Sequence, residues 1–299
     1  MRAMANLDDL LEKTSRTFAL SIPMLPEPTR RHVGLAYLLF RVADTFEDAA
    51  RWPQAARLAA LDDLAGLLET RGGERRAAAR WLADAPVSHE GYLELLRETP
   101  AVMDAYWEAP EAARAVLRRD LLRTVNGMAG FVRRGDARGN LQLGSLRELR
   151  DYCYVVAGIV GEMLTELFLL DAAALAPFAE RLRRRSRFFG EALQLVNILK
   201  DVNSDATEGR VYLPPDVERV RVFALARRDL NIAAAYVGTL QRAGAPDGFV
   251  AFTGSPAVLA RASLDRIEST APGAKITRAE VGALMERMFE NLAANRPLL

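Results

Sequence analysis

At 299 residues, half of them hydrophobic and 26% charged, the chain has the balance of a folded globular protein and ample apolar material for a core. A formal net charge of +1 supplies no global field to recruit nucleic acid, and no nucleic-acid partner is expected. The lone cysteine, Cys153, excludes an internal disulfide framework, and His32 and His89 stand too far apart in sequence to suggest a histidine metal site.

The opening residues, MRAMANLDDLLEKTSR, lack the apolar stretch and cleavage site of a secretory signal. Beyond them the chain reads as successive helices. Stretches rich in Ala, Leu, Arg and Glu, with apolar positions three and four apart, alternate with short breaks containing Gly or Pro. The breaks are placed at Pro23 to Pro28, Arg51 to Pro53, Arg71 to Gly73, Ala85 to Gly91, Gly135 to Asn140, Gly209 to Pro215, Ala243 to Gly248 and Ser269 to Gly273. Strand signals are scarce. YVVAGIVG resembles a buried strand, but LRELRD before it and EMLTELF after it make Leu146 to Leu170 one expected helix. The apolar run Tyr152 to Gly161 ends at Glu162, about half the ~20 residues a spanning helix needs, so no transmembrane segment is expected. With no repeat, linker or composition shift, the expectation is all-α, with a single domain over residues 1–299.

Two segments carry the chemistry, Asp44-Thr-Phe-Glu-Asp48 and Asp201-Val-Asn-Ser-Asp205. Each sets two aspartates at i and i+4 on one helix face, where like charges repel by ~0.2–0.5 kcal/mol unless a cation offsets them. Chance alone produces such pairs, so their surroundings decide. Gln194, Asn197, Asp201 and Asp205 form one polar stripe within the apolar ALQLVNIL; Tyr37, Arg41, Asp44 and Asp48 form another within LAYLLF. A helix apolar except for one polar stripe is expected to be buried, with the stripe lining a cavity. Two such helices facing each other would form a deep pocket with carboxylates at its mouth. Carboxylates without histidine or thiolate suit magnesium on a substrate diphosphate, and an apolar pocket suits a hydrocarbon tail. Such a site would ionise an allylic diphosphate away from water.

Other features read more plainly. The arginine run RLRRRSR, Arg181 to Arg187, is expected to be a solvated face before a phosphate or membrane contact. Gly158 and Gly161 suit either a close substrate approach or close helix packing, and Cys153 is expected to be a core residue.

At these motifs the sequence resembles the squalene/phytoene synthase family. The resemblance runs through Ser15-Arg16-Thr17-Phe18, YLLFRVADTFED, YCYVVAGIVGEMLTELF and ALQLVNILKDVNSDATEGRVYLP, in that order. It implies the all-α, single-domain isoprenoid synthase helical bundle with a central cavity. It further implies that Asp44, Glu47 and Asp48 hold Mg2+ on one diphosphate, and Asp201 and Asp205 on the other. Arg16, Arg41 and Arg210 would neutralise diphosphate charge, with Ser15, Thr17, Tyr37 and Tyr212 as hydrogen-bond partners and Gln194 and Asn197 in the cavity wall. Tyr152 would position groups or take a proton in the first half-reaction. DTFED and AKITRAEVGALM resemble the squalene synthase branch, with Lys200, Lys275 and Arg278 as the residues for NADPH; GRVYLP resembles the carotenoid branch. The implied reaction condenses two farnesyl diphosphates, through a cyclopropyl diphosphate, to squalene. The alternatives are phytoene (from geranylgeranyl diphosphate) or dehydrosqualene without NADPH, a class I terpene cyclase, and a non-catalytic helical assembly factor. A cytoplasmic location is expected, with peripheral membrane contact for product release.

Overall fold

Every long periodic stretch of the sequence is helical in the computed structural model, which describes residues 2–15, 21–136, 140–207, 209–270 and 273–299. The chain divides into two units, Met1–Pro23 with Glu27–Gly139, and Met24–Pro26 with Asn140–Leu299.

The first unit contains α1 (Arg2–Thr14), α2 (Thr29–Glu47), α3 (Gln54–Glu69), α4 (Glu74–Ala83), α5 (Glu90–Arg97), α6 (Thr99–Glu108) and α7 (Glu111–Arg134). Helix α2 packs against α1, α3, α5, α6 and α7. Its apolar residues Val33, Leu35, Leu38, Leu39, Val42 and Phe46 are buried, leaving Tyr37, Arg41 and Asp44 as its part-exposed line. The end of α2 is held from α3. Buried Arg57 donates to the carbonyls of Phe46, at 3.4 Å, and Glu47, which have no acceptor role left inside the helix. Phe46 packs against Trp81 and Trp52, with ring centroids at 4.7 and 6.0 Å. Breaks occur at Glu98 and at Ala109–Pro110 as well, inside a stretch the sequence reading leaves continuous. Pro100 near the start of α6 and Pro110 before α7 explain them, since proline starts helices and cannot continue them.

The second unit contains β1 (Leu141–Gln142), α8 (Leu146–Cys153), a π-helical turn (Tyr154–Gly158), α9 (Ile159–Asp171), a 3-10 turn (Ala173–Phe178) and α10 (Ala179–Thr207). It continues with β2 (Arg210–Val211), α11 (Arg219–Arg242), α12 (Asp247–Ser269) and α13 (Arg278–Ala293). Helix α10 is its axis and packs against α9, α11 and α12. The approach to α9 is backbone to backbone. A Cβ on Gly190 would fall 1.9 Å from the Ala157 carbonyl oxygen, and one on Gly161 would fall 2.1 Å from that of Ser186. Gly161 is therefore a packing residue. The parallel pair β1–β2, with Leu141 opposite Arg210, is too short to leave a periodic signal.

The expected helix Leu146 to Leu170 is present as α8, the π turn and α9 in unbroken succession. The length of the apolar run needs correction. This run, Leu146–Asp171, is long and apolar enough to cross a membrane by length and composition, with a mean hydropathy of 1.8 over 18 residues. Glu162 does not interrupt it, because a single charge barely lowers a window average. Half of that window is buried within the protein, and Thr165 shares a buried hydrogen bond with Tyr236 of α11 at 2.8 Å. Those are the surroundings of a core helix.

Candidate active site

In the first unit, the stripe on α2 is a connected polar line. The Tyr37 hydroxyl donates to the Thr14 carbonyl at 2.9 Å and accepts from Arg41 Nη2 at 3.1 Å. Arg41 Nη1 lies 3.3 Å from Asp44 Oδ2. Burial pushes the Asp44 carboxyl up to about 6; Asp48 adds to the rise and Arg41 opposes it. An aspartate held in that state gains from any further cation. Asp48 follows as the exposed C-cap of α2, its N–H bonded to the Asp44 carbonyl at 2.8 Å. Glu47 is buried, and one residue's rotation places it about 100° around the helix from Asp48, off the stripe. Ser15 follows the last turn of α1, its N–H bonded to Leu11 O at 3.0 Å. Arg16 and Thr17 lie outside the described residues.

In the second unit, Gln194, Asn197, Asp201 and Asp205 share one face of α10, as their spacing requires. Lys200 bridges two of them, donating to Asn197 Oδ1 at 3.0 Å and lying 3.2 Å from Asp201 Oδ2. The β1–β2 pair fixes the chain after α10, setting Arg210 in β2 and carrying Tyr212 just beyond it into a buried position. There the Tyr152 hydroxyl, from α8, donates to that of Tyr212 at 2.9 Å, and the rings stack at 4.6 Å. Two phenols from elements sixty residues apart in the chain thus form a buried hydrogen-bonded pair. Lys275 is exposed before α13 and Arg278 is exposed at its first residue; no hydrogen bond or ion pair among the described residues ties either to Lys200.

The arginine run is largely committed within the protein. Arg183 pairs with Glu166 at 2.6 Å, Arg184 with Glu180, and Arg185 donates to Thr239 Oγ1 at 2.7 Å. Cys153 is fully buried, and burial holds its thiol well above the ordinary range, which makes it a core residue. Sequence reasoning missed two features. One is Tyr92 of α5, whose ring lies 5.3 Å from the Arg41 guanidinium. The other is a buried carboxylate pair, Glu191 on α10 and Asp229 on α11. Glu191 stands one turn before Gln194 in a helix already singled out; Tyr92 carries no local signal.

Among the described residues no group of three or more Asp, Glu, His or Cys gathers as a metal site. What each stripe offers is a pair of aspartates. That donor set suits magnesium, which binds through one or two carboxylates and completes its shell with phosphate oxygens and water. It does not suit zinc, which takes its full set from the protein.

A family profile described as squalene/phytoene synthase matches residues 11–220. A squalene synthase of Schizosaccharomyces pombe is 29% identical over 208 residues, 70% of this chain and 43% of that protein. One from Yarrowia lipolytica is 30% identical over 209 residues, 70% of this chain and 45% of that protein. The match thus covers less than half the length of these relatives. Among solved structures, TcSQS in complex with the ligand BPH1237 has a TM-score of 0.72 at 24% identity, covering 96% of this chain and 86% of that one. A dehydrosqualene synthase in complex with a ligand has a TM-score of 0.63 at 19% identity, covering 98% and 97%. The fold is the all-α fold that these synthases share.

Proposed function

We propose head-to-head prenyl transfer for this chain, which belongs to the squalene/phytoene synthase family. Two aspartate stripes, one on the largely buried α2 and one on the C-terminal half of α10, carry the reading. Asp44 and Asp48 would hold magnesium on one diphosphate, with Glu47 beside them, and Asp201 and Asp205 on the other. Bound magnesium supplies charge that stabilises the departing diphosphate. Arg41 and Arg210 add fixed positive charge, with Arg16, Ser15 and Thr17 contributing from the segment after α1, and Gln194 and Asn197 line the wall beside the metal.

In the reaction, the C1–O bond of one farnesyl diphosphate breaks and the double bond of a second molecule attacks the resulting allylic cation. A proton is then lost and the cyclopropyl diphosphate forms. The hydrogen bond to Tyr212 leaves the Tyr152 oxygen oriented to guide that proton, which suits the buried pair to the first half-reaction. The cyclopropyl diphosphate would then ionise with loss of its diphosphate and rearrange, and NADPH, when bound, would supply the hydride that gives squalene. Lys275 and Arg278 are suited to the NADPH phosphates by their exposed side chains, with Lys200, held between Asn197 and Asp201, as the third cation, and the DTFED and AKITRAEVGALM segments support that branch. GRVYLP supports the second reading, loss of a proton to dehydrosqualene or phytoene with no reductant. The enzyme would work in the cytoplasm and pass its product to a membrane by peripheral contact.

The test is the product made by the purified chain from farnesyl diphosphate and Mg2+, with and without NADPH. The expected outcome is a thirty-carbon product that requires Mg2+ and shifts to squalene with NADPH. A single-substrate cyclic product, or no metal-dependent turnover, would refute the reading.

A further inference from the structure

Arg41 stands between two tyrosines that both approach its guanidinium. Its guanidinium carbon lies 5.5 Å from the Tyr37 ring centroid and 5.3 Å from that of Tyr92. Tyr37 belongs to the same helix and the same motif; Tyr92 comes from α5, with the His89 ring stacked behind it at 4.2 Å. The result is a cluster of His89, Tyr92, Arg41 and Tyr37.

The cluster is built from the end of α1. The Lys13 carbonyl is so close to α5 that a Cβ on Gly91 would fall 2.5 Å from it, so only glycine lets α5 seat there. Lys13 Nζ also reaches Glu94 of α5 at 2.8 Å. The next carbonyl, that of Thr14, accepts the Tyr37 hydroxyl. One turn of α1 therefore anchors both aromatic rings. Between them Arg41 spends one nitrogen on Tyr37 and one on Asp44. Its buried Nε has no hydrogen-bond partner among the described residues. A flat cation held by two aromatic rings, paired with Asp44 and keeping an uncommitted donor, is preorganised for an anion.

We infer that Tyr92 is a positioning residue that holds the Arg41 guanidinium ready for a substrate diphosphate. This rests on the proposed reading of the α2 stripe. It adds a residue outside the motifs and assigns its role to the ring face alone.

Binding of inorganic pyrophosphate with Mg2+ to the full-length chain, followed by calorimetry, separates the two levels. Tyr92→Leu should weaken binding about fivefold, the scale of one lost cation–π face. Tyr92→Phe, which keeps the face, should bind as the parent does. In turnover, Tyr92→Leu should raise KM by a similar factor while kcat changes by less than about twofold, as for a lost contact made equally before and during reaction. Should the leucine variant fail to fold, Tyr92→Met refills the space without a π face and carries the same expectation. Parent-like binding by the face-less variants, or an equal loss in Tyr92→Phe, overturns the inference. A parent protein that binds no pyrophosphate with Mg2+ overturns the functional reading beneath it instead.

Discussion

Asp44 shows why a residue type at a given spacing was informative. The i,i+4 pair with Asp48 was visible in sequence because helical geometry is local. The reason the pair persists lies in its surroundings: burial raises Asp44 to about 6, against the pull of Arg41. An ionised Asp44 is thus tolerated for something other than the stability of the empty protein. Asp44→Asn should leave the thermal midpoint of the metal-free chain unchanged or slightly higher, since a partly desolvated charge repelled by Asp48 is removed. Turnover should fall at least about 100-fold, because a ligand charge worth several kcal/mol in the transition state is lost. Asp201→Asn should behave alike in turnover. Thermal melts beside rate measurements decide it, and a folded variant with near-parent activity would end the role given to that stripe. Tyr92, by contrast, was invisible. It lies fifty-one residues from Arg41 in the chain, and no periodic rule links the start of one helix to the middle of another.

At the scale of elements, the helical periods, most breaks and the continuous run from Leu146 were legible, because apolar spacing and Gly or Pro act locally. The π turn at Tyr154–Gly158 was not. One extra residue per turn leaves no trace in composition, and the helix packed across it, α10, comes from later in the chain. Glu191 of α10, 1% exposed, lies against Gly158 of that turn, and Asp229 of α11 is fully buried. Arg187 of α10 and Arg150 of α8 lie 3.0 and 3.9 Å from Glu191, and Arg228 of α11 lies 2.6 Å from Asp229. Burial pushes Glu191 up to about 7; Asp229 adds to the rise, and Arg187 and Arg150 oppose it. Asp229 is raised as well, again by burial. The sign follows from proton uptake. With its folded value above the ordinary 4.5, Glu191 contributes stability that is complete below 4.5 and lost as pH rises through about 7. The loss is on the order of 3 kcal/mol. Glu191→Gln should therefore match the parent near pH 4.5 and exceed it at pH 8 by roughly that amount. Urea unfolding of both proteins at the two values measures it, and a difference that does not widen with pH would contradict the account.

For the molecule as a whole, fold class and branch of chemistry were far more legible than the fate of the final cation. The all-α architecture follows from periodicity repeated along the entire chain, and the family from motifs set on two stripes; the magnesium chemistry is the proposal made for those stripes. Hydride capture and proton loss, however, start from the same rearranged cation, and a bound reductant alone separates them. The segments bearing on that choice point both ways: AKITRAEVGALM toward NADPH, GRVYLP away from it. Lys275 is exposed, precedes α13, and stands outside both aspartate stripes. A defect there should be separable from ionisation. With Mg2+ and farnesyl diphosphate alone, the parent should accumulate the cyclopropyl diphosphate or release side products slowly. NADPH should divert that material to squalene. Lys275→Ala should form the cyclopropyl diphosphate at the parent rate, while the NADPH concentration for half-maximal diversion rises about threefold to tenfold, as for one lost charge-assisted phosphate contact. Quantifying both products across an NADPH titration makes the comparison. If Lys275→Ala slows the first product as much as the second, the lysine serves folding or the first substrate. If NADPH changes nothing even in the parent, the chain belongs with the proton-loss branch, and condensation of geranylgeranyl diphosphate becomes the reaction to assay.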